Sequence, residues 1–246
     1  MLQRRPSVRL HSASKIPLPQ DMAGGNTLVL AETVLDKVLQ PCNCCSFWTV
    51  GIGDLAARER DFFHHSMPHA KTAVVVGHHV TTREQWKWYV SASRGAHCAA
   101  DDHTRNVSLH LEEALLRQGF PTELVPYPGE SGLQFRFVAQ SAGAGEIAKN
   151  AFLLHPQWGP WIHLRVLATQ APTKNKPCRV ISVCNNCGAC VSACPAGAIE
   201  NDTFNGLKCR QFRKARGEYH PVGPKHELRY CEICADICPI GSKPDE

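Results

Sequence analysis

Apolar positions between residues 27 and 169 follow helical and strand-like periods in turn. Thr27–Gln40 (TLVLAETVLDKVLQ) repeats at helical spacing and stops before Pro41. Phe47–Gly53 (FWTVGIG) reads as a strand, with Asp54 placed to cap the helix that follows. Lys71–Val80 (KTAVVVGHHV) has the apolar run of a buried strand, and Val107–Gln118 (VSLHLEEALLRQ) is an amphipathic helix closed by Gly119. Short strands are expected near Glu123–Tyr127 and at Trp161–Thr169 (WIHLRVLAT). Strands interleaved with helices predict a layered α/β (α+β) domain over residues 26–176. A basic, Pro- and Ser-rich extension (1–25) precedes it, and the polar link Ala171–Lys176 (APTKNK) leads into a smaller section, 177–246. Apolar runs such as Ala73–Val76 are far too short to span a bilayer, so no membrane partner is expected.

The smaller section holds the strongest chemical signal. It contains Cys184-x2-Cys187-x2-Cys190-x3-Cys194-Pro195 and, further on, Cys231-x2-Cys234-x3-Cys238-Pro239. In runs of the first kind three cysteines bind one [4Fe–4S] cluster and the fourth crosses to another. Two clusters need eight thiolates; the motifs supply seven, and Cys209 between them is the natural eighth. The crossing rule then assigns Cys184, Cys187, Cys190 and Cys238 to one cluster and Cys194, Cys209, Cys231 and Cys234 to the other. Paired zinc sites would show C-x2-C twice with a longer gap, which is not this spacing. The prolines stop the short helical turns and let the chain leave each cluster.

Composition adds context. The 246 residues include thirteen cysteines, and Arg4-Arg5 is followed by no apolar stretch of the kind an export signal needs, which points to a reducing cytoplasm and to metal ligation. Net charge is +5, and the densest basic run, Lys208–Arg216 (KCRQFRKAR), reads as compensation for two anionic clusters or as a solvated face. Cys42, Cys44 and Cys45 (PCNCC) are poorly spaced for a cluster, and a metal there would need partners from elsewhere in the chain. The histidines, among them His64, His65, His78, His79, His155 and His163, lack a fixed-spacing carboxylate and read as structural.

Tyr127–Thr169 places Ala142, Gly143 and Gly145 just before Lys149-Asn150, and a Gly159-x-Trp161 turn after them. Glycine-rich turns let backbone approach a large planar or anionic ligand, although a tight helix–strand junction needs the same glycines. With the eight cysteines, this order resembles epoxyqueuosine reductases and their relatives the reductive dehalogenases, from residue 27 to 240. The resemblance implies a nitroreductase-like corrinoid-binding domain followed by a ferredoxin-like two-cluster domain. It implies two [4Fe–4S] clusters and base-off cobalamin as cofactors, with Gly143, Gly145, Lys149, Asn150 and Trp161 at the corrinoid. It also implies an external donor of ferredoxin or flavodoxin type and a proton donor beside the corrinoid.

This chain departs from that pattern at informative places. Gly129-Glu130 stands where the reductases carry an acidic proton donor, which makes Glu130 the candidate, with Tyr127 as a second one by analogy with the dehalogenases. The turn reads Gly145-Glu146-Ile147-Ala148-Lys149 where relatives have G-W-x-G-K, and no helical-repeat extension follows the cluster section. The expected function is a cobalamin-dependent iron–sulfur reductase, an oxidoreductase. Its substrate is open among a modified nucleoside in RNA (a tRNA included), an organohalide and the corrinoid of another protein. Three alternatives stand beside it: a ferredoxin-type electron carrier, a flavin-dependent reductase and a cobalamin-processing protein.

Overall fold

The computed structural model describes residues 45–92, 95–173, 182–200, 203–218, 220–223 and 226–246. The extension (1–25), the helix expected at Thr27–Gln40, Cys42, Cys44 and the second half of the Ala171–Lys176 link lie outside the described residues.

β1 (Cys45–Gly51) starts two residues before the expected strand and gives way to a 3-10 turn, Ile52–Asp54. Asp54 therefore sits inside that turn and caps nothing; α1 (Ala57–Ser66) begins after Ala56, with no side-chain cap. The turn is fixed by buried Ile52, whose N–H donates to the Lys71 carbonyl at 2.9 Å, and this anchoring takes precedence over the local capping preference. β2 (Thr72–His79) is buried along nearly its whole length, as its apolar run predicts.

β3 (Trp88–Ser91) and β4 (Gly95–His97) form a hairpin that leads into α2 (Ala99–Arg117). α2 begins eight residues before the expected helix at Val107. Its first turns carry Asp101, Thr104 and Ser108, polar yet buried, so the helical face is hidden from a hydrophobicity reading. Thr104 and Ser108 satisfy their hydroxyls on carbonyls four residues back, at 2.6 and 2.8 Å. β5 (Thr122–Leu124), the four-residue turn α3 (Pro128–Ser131) and α4 (Phe135–Ser141) follow. A small hairpin of β6 (Glu146–Ile147) and β7 (Leu153–Leu154) then precedes β8 (Ile162–Thr169).

The main sheet has the order β1-β2-β8-β5 and is antiparallel throughout. Each face carries a helical layer. Ala73 and Val75 of β2 pack with Phe63 of α1 and with Val138 and Ala139 of α4. Val74 and Val76 point the other way, onto Leu111 and Leu115 of α2. Each fully buried aliphatic side chain of this kind stabilises the fold by roughly 1.5–3 kcal/mol.

The cysteine-rich part adds α5 (Ala189–Ala193), the strand pair β9 (Ile199–Glu200) and β10 (Thr203–Phe204), α6 (Gly206–Ala215), β11 (Glu227–Leu228) and α7 (Ile233–Asp236). β11 pairs with β3, so this part extends the hairpin sheet of the larger part. A third core cluster joins the two: Val80, Trp88, Cys98, Ala100 and Trp161 pack with Leu228 and Ala235. No helix among the described residues is long and apolar enough to cross a membrane.

Candidate functional site

Gly188, at φ 75°, lets the chain turn sharply between Cys187 and α5, which carries Cys190. α7 does the same for Cys234, and α6, capped by Asn205 at 3.0 and 3.1 Å to the amides of Lys208 and Leu207, carries Cys209. α5 and α7 pack side by side, which interleaves the two motifs.

Cys184, Cys187, Cys190 and Cys238 line one open recess of ≈ 350 Å³, together with Lys149 and Asn150. Partial burial raises the Cys190 thiol, and the neighbouring charges of Cys184, Cys187 and Cys238 raise it further. The remaining four gather at a second point. Burial, reinforced by Cys231, Cys194 and Cys209, pushes the Cys234 thiol up to about 12. Cys209 is raised by burial, with Arg213 opposing and Cys231 and Cys194 adding to it. Thiols that repel one another's ionisation in this way ionise together only around a cationic centre. The donor set fits iron–sulfur clusters.

Two glutamates that the sequence reading did not single out support these loops. Glu146 Oε2 accepts the Val183 and Cys184 amides, at 2.6 and 2.9 Å. Glu218, only 6% exposed, accepts the Cys231 amide at 2.7 Å and the Arg213 Nε–H at 3.1 Å. The first residue of each cysteine motif is thus anchored by a carboxylate. Glu146 is one of the departures from the relatives' turn, but a glutamate two strands away in sequence from its amides leaves no local signal.

The residues expected at a corrinoid are mostly engaged within the protein. A Cβ on Gly145 would meet the Leu154 carbonyl oxygen at 2.1 Å, so this glycine serves the β6–β7 hairpin. Asn150 is 3% exposed; its Nδ2 donates to the Cys234 carbonyl at 3.1 Å and its Oδ1 accepts the Phe152 amide at 3.2 Å. Trp161 is buried in the joining core with Arg83 over its ring at 4.7 Å. Gly143, at φ 85°, closes the turn after α4, and Lys149 alone combines partial exposure with a place on the recess. Gly145 thus shapes the β6–β7 hairpin, while Asn150 and Trp161 join the two parts of the chain.

Tyr127 and Glu130 lie three residues apart in very different surroundings. Tyr127 stacks on His163, with ring centroids 5.9 Å apart, lies under Arg165 at 4.6 Å, and has its phenol pKa raised by burial and then by Asp101. Glu130 is exposed on α3. Beneath Tyr127 lies a buried polar set: Asp101 Oδ1 accepts from His163 Nε2 at 2.9 Å and from Arg165 Nε and NH2 at 2.9 and 2.5 Å. Burial alone would raise the Asp101 pKa, but His163 and Arg165 outweigh it and hold the group below its ordinary range. The joint is tied by Arg83, paired with Asp236 at 2.6 Å and Glu232 at 3.7 Å, and by backbone bonds of Asp245 to Thr81 and Arg83, each 2.8 Å.

Residues 183–241 match the family described as a 4Fe-4S double cluster binding domain. Curated epoxyqueuosine reductases are similar: the Staphylococcus aureus protein is 30% identical over 113 residues, covering 44% of this chain and 29% of that protein. The Synechococcus sp. (strain CC9605) protein is 35% identical over 108 residues, covering 41% of this chain and 33% of that protein. The matched segment is thus about a third of the curated relatives' length. Among solved structures, an epoxyqueuosine reductase with an epoxyqueuosine-modified tRNA-Tyr stem loop superposes with TM-score 0.65 at 20% identity, over 90% of this chain and 68% of that one. A catabolic reductive dehalogenase gives TM-score 0.53 at 20% identity, over 72% of this chain and 26% of that one. The spacing of the cysteines, the match of residues 183–241 and the layered fold agree: the chain carries a 4Fe-4S double cluster binding domain, is similar to epoxyqueuosine reductases over part of their length, and shares the fold of epoxyqueuosine reductase and reductive dehalogenase structures.

Proposed function

We propose that this chain is an iron–sulfur oxidoreductase of the cytoplasm. In it, Cys184, Cys187, Cys190 and Cys238 hold one [4Fe–4S] cluster and Cys194, Cys209, Cys231 and Cys234 hold a second. The observation that carries this reading is the gathering of eight thiols into two fours, one of them lining a recess that reaches Lys149. The clusters would supply one-electron steps, received from a ferredoxin- or flavodoxin-type donor. The protein's own part is to anchor the loops through Glu146 and Glu218, to place Lys149 beside the first cluster and to keep the two motifs interleaved. The acceptor supported by kinship is a corrinoid: one related structure is of a reductive dehalogenase described as acting through B12-dependent dehalogenation. The related reductase with a bound tRNA stem loop makes a tRNA-borne modified nucleoside the first substrate to test. Glu130, exposed beside the Tyr127 turn, is the candidate proton donor, and its role requires a bound group that covers it.

The test is anaerobic reconstitution with iron and sulfide, then hydroxocobalamin, desalting and spectroscopy under stepwise reduction. Eight irons per chain and a retained corrinoid that can be reduced are expected. Cys209→Ser should lose one cluster and keep the other; a full eight-iron content in that variant would remove Cys209 from the ligand set. A second reading has its own observation. Because Gly145, Asn150 and Trp161 are engaged internally, the chain would serve as an electron carrier docking to a separate enzyme. Clusters with no retained corrinoid select that reading, and flavin released on denaturation selects a flavin enzyme. Loss of the corrinoid's upper ligand with no substrate added selects a cobalamin-processing protein.

A further inference from the structure

Cys45 is not among the eight thiols of the clusters, and the sequence around it supplies no well-spaced partner. The fold supplies two. β1 and β2 pair in a register that sets Cys45 directly opposite His78, with side chains on the sheet face that α2 covers. The second turn of α2 brings His103 over the same spot. One ligand atom from each of Cys45, His78 and His103 lies within 4.8 Å of the others. Cys45 Sγ is 3.5 Å from His78 Nδ1, and the two imidazole rings are 4.6 Å apart between centroids.

A thiol–imidazole hydrogen bond accounts for the Cys45–His78 distance. It does not account for a second imidazole converging on the pair, at a His78 only 2% exposed.

We propose that Cys45, His78 and His103 bind a single zinc ion, separate from both clusters. Zinc takes a thiolate at about 2.3 Å and imidazoles at about 2.0–2.1 Å in a tetrahedron, which spaces ligand atoms about 3.3–3.8 Å apart. The Cys45–His78 separation already falls in that interval, and His103 needs only a side-chain adjustment. One thiolate and two neutral imidazoles leave the site with a net charge of +1; Cys45 gives up its proton to solvent on binding. A thiolate with two imidazoles favours zinc over magnesium or calcium, which take oxygen ligands. His103 is exposed, so the fourth position opens toward solvent and accepts water, as in sites that keep an open coordination position. The ion would tie the start of the edge strand β1 to β2 and α2.

This inference stands independently of the redox reading, and its test separates the two. The cluster-loaded protein is dialysed anaerobically against zinc, passed over a chelating resin and analysed for zinc and iron per chain. X-ray absorption is then recorded at the zinc edge. The expected result is one zinc per chain, in a shell of one sulfur at about 2.3 Å and nitrogen or oxygen at about 2.0–2.1 Å. His103→Ala, a change on an exposed helical position that leaves the fold intact, should weaken zinc retention roughly tenfold or more at unchanged iron content. Cys45→Ala should remove the sulfur shell. The proposal is overturned by absence of retained zinc, by a shell of four sulfurs (zinc in a cluster site), or by retention equal in the wild type and both variants.

Discussion

Single residues in this protein are set by what surrounds them more than by their type. His155 shows this most directly. Its Nδ1 accepts the Gln157 and Trp158 amides, both at 3.2 Å, and its ring stacks on Trp158 at 4.2 Å. Burial, and then His79, lower its pKa to about 4. A base whose folded pKa lies below its unfolded value of about 6.5 contributes fully to stability above that value and loses its contribution as pH falls toward the folded pKa. Stability should therefore decline between about pH 6.5 and pH 4 by on the order of 1–2 kcal/mol from this residue, discounted for its partial exposure. Thermal melts across that interval should show the decline, and His155→Asn should flatten it. An unchanged slope in the variant assigns the pH dependence to other groups. Trp161, likewise, is packed into the joining core with Arg83 over its ring.

At the scale of elements, the turn between β7 and β8 is shaped by what crosses it. Gly159 has φ 58°, and a Cβ there would lie 2.0 Å from the Ile240 carbonyl oxygen; Gly241, at φ 75°, faces it with a Cβ position 2.0 Å from the Gly159 nitrogen. Two glycines thus let the segment after Cys238-Pro239 pass against the Gly159-x-Trp161 turn. Neither a side chain nor a cofactor fits between them. Gly159→Ala combines a strained backbone with a backbone clash and should destabilise the protein by roughly 2–4 kcal/mol. It should also loosen the last residues of the chain, read as faster amide exchange at Ser242 and Asp245. Wild-type stability in this variant would mean that the crossing is not maintained in solution. The element most misjudged from sequence, α2, was lengthened for a related reason. Its first turns bury Asp101 against His163 and Arg165, partners 62 and 64 residues away, so polarity there marks a buried network that periodicity does not detect.

Across the whole molecule, the two parts of the chain meet through few but well-placed polar bonds. Glu146 reaches from the β6–β7 hairpin to the amides of Val183 and Cys184, and Asn150 from the same hairpin to the Cys234 carbonyl. Hydrogen bonds to a carboxylate contribute about 1.5–3 kcal/mol each when water is excluded. Glu146→Ala should leave the first cluster poorly held while the second persists. Iron content should fall from eight toward four irons per chain, with one of two EPR signals lost on reduction, and the sheet signature in circular dichroism should be retained. Full iron content in the variant would show that the thiolates alone hold the loop. Glu146 is thus committed to holding the cysteine loop.

What the sequence determined by itself was everything carried by local spacing. The gathering of the eight cysteines into two fours was legible from their intervals of two and three residues, the spacing that iron–sulfur ligands require. β2 was legible because its Ala73–Val76 run, buried on both faces, is continuously apolar, and β8 because its apolar residues recur at strand spacing around His163 and Arg165. The small-residue turn and the placement of Glu130 were visible as letters, but their roles were not. Only the tertiary structure could decide that Gly145 and Gly159 make room for backbone, that Glu146 and Glu218 bind amides of the cysteine loops, and that Cys45 meets His78 and His103. Those facts depend on register between strands and on crossings between segments far apart in sequence. No local pattern encodes such meetings, because the residues on either side of them are free to vary so long as the volumes and hydrogen-bond partners match.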